Sequence, residues 1–102
     1  MLTIKENTYE LRYTEKKLDQ IEALMDKPLF AELNQTRGML RLMDLRIILG
    51  LGLVNSETGI HLPPKQGIEL AGEYIKESGY GAAINEMSEA LNRDLPFLFP
   101  ED

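Results

Sequence analysis

Cysteine is absent from all 102 residues, which removes disulfides, thiolate metal sites and thiol nucleophiles at one stroke. That fits a cytoplasmic setting. Histidine is nearly absent as well: His61 stands alone, so one copy of the chain cannot assemble a histidine metal cluster or a histidine pair. A hydrolytic triad would have to join His61 to Ser56, Ser78 or Ser88 and a carboxylate, and no nucleophile motif surrounds any of these serines. No apolar run reaches the roughly 20 residues of a membrane span, because Arg46 interrupts the longest one. Residues 1–10 have neither a basic leader nor a long apolar run, so a secretory signal is not expected. The glycines make no phosphate loop, since Gly50-Leu51-Gly52 lacks both a third glycine and a Gly-Lys-Ser/Thr ending. These absences point away from an enzyme and from any cofactor or metal.

Basic residues are short in one half only. Residues 1–54 hold eight acids and eight bases, whereas residues 55–102 hold nine acids against Lys65, Lys76 and Arg93. The whole net charge of −6 therefore lies in the second half. Such a balance repels phosphate backbones, whose neutralisation supplies most nucleic-acid affinity. A protein partner with a basic or apolar surface fits better than nucleic acid or membrane.

What is present reads as a globular, mostly helical domain: 43% of residues are hydrophobic and 27% charged. Leu2-Thr3-Ile4 and Tyr9 to Tyr13 alternate apolar and polar residues around the polar Lys5–Thr8, the pattern of a β-hairpin. Thr14 then suits a helix N-cap, followed by Leu18, Ile21, Leu24 and Met25 at helical spacing and by Pro28 as a stop. A brief helical segment is expected over 29–34. From Gly38 to Leu53 apolar residues cover nearly every side of a helix, with Arg37, Arg41 and Asp44 on a narrow polar stripe. Such a helix belongs at the centre of a fold or in an interface. Residues 55–62 read as a loop, and Pro63-Pro64 can open the next helix, with Ile68, Ala71, Gly72 and Ile75 inward. Ser78-Gly79 breaks the chain before a last helix carrying Tyr80, Ile84, Met87 and Leu91, which Pro96 ends.

The expected fold is a single mostly α domain, a compact bundle of about four main helices. It divides into a hairpin (1–13), a helical core (14–95) and an apolar tail (96–102). Leu95, Phe97, Leu98 and Phe99 crowd the last eight positions beside two prolines. Two readings stand for them: a tail folded back onto the core, or an apolar peptide offered to a partner or exchanged between copies. With Met39 and Met43 of the apolar helix they form the candidate protein interface. His61 reads as an ordinary loop residue, and acids spaced through the helices as a solvated face. An alternative class is a small helix-turn-helix-like transcriptional regulator, with Arg37, Arg41 and Arg46 on the second helix. A recognition helix, however, needs an exposed polar face, which this one largely lacks.

The order of features is also familiar. A β-like opening leads into Leu11-Arg-Tyr-Thr-Glu-Lys-Lys-Leu-Asp-Gln-Ile-Glu-Ala-Leu24, then Asp26-Lys-Pro-Leu29, then the apolar Leu40–Leu53 helix ending Gly-Leu-Gly-Leu, a loop and two final helices. This resembles the small tail assembly chaperones of long-tailed bacteriophages, especially those of Gram-positive hosts. The resemblance implies a viral non-structural protein of the host-cell cytoplasm, free of catalytic activity and cofactors. It implies binding to the tail tape-measure and tail tube proteins and assembly into homo-oligomers. It carries over no individual site residue.

Overall fold

The computed structural model describes residues 2–36 and 39–98. Leu2 and Ile4 of strand β1 (Leu2–Ile4) and Tyr9 and Leu11 of β2 (Asn7–Leu11) point into the core, while Thr3 and Thr8 face out. The expected hairpin is therefore present, with Ile4 opposite Asn7 and a two-residue turn between them. Lys5 and Glu6 fill that turn at φ 50° and 72°. Left-handed backbone at both positions matches the right-handed twist of the strands, though neither residue favours it.

Thr14 caps helix α1 (Glu15–Met25) as expected, its hydroxyl accepting the Lys17 N–H at 3.1 Å. Leu18, Ile21 and Met25 are buried, but Leu24 is 52% exposed. Six residues past Leu18, it lies about 120° round the helix from that residue, at the edge of the stripe that Ile21 and Met25 continue. Asp26 closes α1 in the left-handed conformation, and α2 (Leu29–Thr36) follows. The described residues thus hold five α-helices where four main ones were expected. The difference lies in α2, a full helix whose first N–H, on Leu29, donates to the Glu22 carboxylate at 2.7 Å. This side chain supplies the cap that a helix entered through Pro28 otherwise lacks.

Helix α3 (Leu42–Gly52) is buried along eight of its eleven residues. It passes without a loop into β3 (Leu53–Asn55), which pairs antiparallel with β2, Leu53 opposite Leu11. The sequence reading placed Leu53 at the end of the helix and ran on into a loop. A continuous apolar run has no alternation to separate buried strand from buried helix. The sheet order is β1-β2-β3. Helix α4 (Pro64–Ser78) starts at the second proline, Gly79 turns the chain at φ 95°, and α5 (Tyr80–Asp94) ends before a short 3-10 turn over Pro96–Leu98.

Helices α3 and α4 cross with backbones in contact. A Cβ on Gly50 would lie 2.6 Å from the Ile68 nitrogen, and one on Gly67 would strike the Gly50 carbonyl. Gly52 likewise leaves the space filled by the Tyr13 ring. One hydrophobic cluster joins all three strands' inner residues to Ile21, Leu29, Leu45, Ile48, Met87 and Leu91. No helix among the described residues is long and apolar enough to cross a membrane.

Candidate protein-binding surface

Three elements meet around one buried carboxylate. Asp44, in the first turn of α3, is 1% exposed. Its oxygens accept Arg41 Nε at 3.0 Å and Arg41 Nη2 at 3.2 Å, and Lys27 Nζ lies 2.9 Å away. Lys27 also reaches Glu32 of α2 at 3.1 Å. Burial alone would raise the Asp44 pKa. The hydrogen bonds from Arg41 and Lys27, with their charges, outweigh it and hold the carboxyl below its ordinary value. The favourable end of the α3 dipole adds to this placement. Sequence patterning set Asp44 on a solvent-facing stripe with Arg41. The structure divides the pair: Asp44 is buried, whereas Arg41, which grips it, keeps a largely exposed side chain.

Large apolar side chains are exposed on the elements that carry these residues. Leu24 and Phe30 lie three residues either side of Lys27; Met39, Leu42 and Met43 flank Arg41 and Asp44. These are five of the seven large exposed hydrophobic residues among those described, the others being Ile60 and Phe97. Tyr80 at the start of α5 donates its hydroxyl to the Leu40 carbonyl at 2.6 Å, tying down the segment that presents Met39.

Of the six sequence-derived interface residues, Met39 (65% exposed) and Met43 (63%) fall on this surface. Phe97 is also exposed, but it follows the far end of α5 from Tyr80. Leu95 and Leu98 are buried members of the core. Phe99 lies outside the described residues. The structure therefore does not bring the methionines and the tail together. Leu24, Phe30 and Leu42 were missed. Helical spacing alone placed Leu24 with the buried stripe, and Leu42 shares a wheel face with buried Leu45 and Leu49, so their exposure is set by where the neighbouring elements end.

A cleft of about 590 Å³ opens beside this surface, between α3 and α4. Leu42, Ile68 and Ile75 contribute apolar walls, and Lys5, Arg46, Glu69, Glu73 and Lys76 the charges. Elsewhere the polar contacts hold the fold together. The buried Tyr13 hydroxyl donates to the Ile48 carbonyl at 2.8 Å, and Asp94 accepts the Tyr13 N–H at 2.9 Å. Burial, then the Asp94 charge, pushes the Tyr13 phenol far above its usual range. Arg93 grips Asp94 through Nε at 2.7 Å and reaches the Leu11 carbonyl, locking β2 to α5. His61 bonds through Nε2 to the Arg12 carbonyl at 2.8 Å, the structural role expected of a lone loop histidine.

Among the described residues no three His, Asp or Glu side chains converge as a metal site. Of the arginines on the α3 segment, Arg41 bonds Asp44 at the helix start, and the Arg46 stem lies over Gly72 of α4. No family model, curated protein or solved structure matches this chain.

Proposed function

We infer that this chain is a non-catalytic protein-binding adaptor of the assembly-chaperone type. It holds an aggregation-prone partner on the apolar surface around Met39 and Met43. The observation that carries this reading is that five of the seven large exposed hydrophobics among the described residues, Leu24, Phe30, Met39, Leu42 and Met43, fall on α1, α2 and the approach and first turn of α3. Single exposed hydrophobics need no explanation, whereas a gathered set marks an interaction surface. Unbranched methionine side chains adapt to more than one apolar partner.

Taken with the resemblance to tail assembly chaperones, the expected clients are the tape-measure and tail tube proteins, met in the host cytoplasm.

The test is light scattering from a tape-measure fragment diluted out of denaturant, with and without the chain in equal amount. Wild type is expected to suppress the scattering. The Met39→Ser/Met43→Ser variant should lose most of that effect while its melting temperature stays near that of wild type, because both side chains are exposed. Scattering that wild type leaves unchanged, or that the variant suppresses equally well, overturns the reading.

A further inference from the structure

We propose that Met39 and Met43 form a reversible oxidation switch, each taking one oxygen from hydrogen peroxide and so releasing the client. The inference rests on the client-binding reading above and adds a regulation of that same surface.

With no cysteine in the chain, thioether sulfur is the only sulfur an oxidant can reach. Among the described methionines the fold divides that sulfur sharply. Met25 of α1 and Met87 of α5 are 6% and 0% exposed and belong to the core, whereas Met39 and Met43 are 65% and 63% exposed. Fraying does not account for the exposed pair. Met39 precedes Leu40, which is buried and whose carbonyl accepts the Tyr80 hydroxyl. Met43 precedes Asp44, which is buried and bonded by Arg41 and Lys27. Each methionine therefore points outward from a place in the chain that its neighbour anchors. The other large exposed hydrophobics are leucine, isoleucine and phenylalanine, which carry no sulfur.

In the forward step a sulfur lone pair attacks one peroxide oxygen. An S–O bond forms, the O–O bond breaks, and the second oxygen leaves as water with both protons. Sulfur loses two electrons and the peroxide gains them. The product sulfoxide is polar where a pliable apolar side chain stood. On the free chain it stays hydrated, so the fold is untouched. Against an apolar client its oxygen is buried without a donor, which weakens binding by about tenfold or more. Reversal needs an external reductase, because the chain has no thiol of its own. Two reductase thiols become a disulfide, and the sulfoxide oxygen departs as water. Exposed sulfoxides at positions 39 and 43 are open to such an enzyme.

Peptide mapping by mass spectrometry after graded hydrogen peroxide tests the site, and light scattering with the tape-measure fragment tests the consequence. Met39 and Met43 are expected to oxidise at least about tenfold faster than Met25 and Met87. The melting temperature should not move at the dose that converts the exposed pair alone. At that dose, equal suppression should require about tenfold more chain, and methionine sulfoxide reductase with dithiothreitol should restore the untreated value. Comparable oxidation rates at all four positions overturn the switch. So does full suppression by chain oxidised at both exposed positions, or a loss that persists after both have been reduced. Untreated chain that leaves the scattering unchanged overturns client binding itself and the switch with it, whereas failure of the switch alone is read from treated against untreated chain.

Discussion

Asp44 shows how far one residue's setting departs from its sequence position. A carboxylate in a run of leucines, three residues from an arginine, reads as part of a solvated stripe. Its actual place follows from tertiary contact, since Lys27 arrives from the loop between α1 and α2. Its folded pKa lies below the ordinary carboxylate value, so its charge stabilises the fold at neutral pH. That contribution is complete above the unfolded pKa of about 3.9, and it is lost as pH falls through the lower folded value. Asp44→Asn is expected to cost about 1–3 kcal/mol at pH 7, the range for losing charge-assisted hydrogen bonds. Urea titrations should show the gap between wild type and variant narrowing at acid pH and closing below the folded pKa. A gap that persists unchanged at the lowest pH would mean that shape, and not charge, is what the site needs.

At the scale of elements, the legible parts were those set by local chemistry. Thr14 as a cap, Pro28 and Pro96 as stops, Pro64 as a helix start and Gly79 as a break all act through their own backbone or first neighbours. The hairpin was legible because strict alternation has one reading. Strand β3 was not, because Leu53 and Val54 continue an apolar run whose fate β2 decides from forty residues away. The candidate surface was half legible: the excess of apolar residues on α3 allowed either a central helix or an interface, and eight of its eleven residues are buried, so which of the rest face outward depends on where α1 and α2 lie. The glycines of α3 illustrate the same division. Gly50 permits α3 and α4 to touch, so Gly50→Ala should destabilise by about 3 kcal/mol, toward the top of the overpacking range, because backbone stands in the way. Gly81, early in α5 with nothing within 4 Å of a built Cβ, should gain about 0.5 kcal/mol from the same substitution through helix propensity. Denaturant midpoints of the two variants, moving in opposite directions, check both.

On the scale of the whole molecule, α5 keeps two apolar regions apart. Its fifteen residues span about 22 Å at the usual helical rise. Tyr80 at one end holds the segment bearing Met39, and the Pro96–Leu98 turn follows the other. A tail read as a single interface therefore divides by residue. Leu98 packs into the core and its N–H bonds to the Leu95 carbonyl at 3.1 Å, whereas the Phe97 side chain stands in solvent. Leu98→Ala is expected to cost about 2–4 kcal/mol, as deletion of a buried leucine does. Phe97→Ser should change stability by no more than about 0.5 kcal/mol. Thermal melts separate the two effects, and client suppression measured on the same variants separates the surfaces. Both variants should retain suppression at temperatures where they are folded, because neither touches the methionine corner. If Phe97→Ser abolished suppression while leaving the melt intact, the contact with clients would run along α5 to its far end, and the two regions would be parts of one surface.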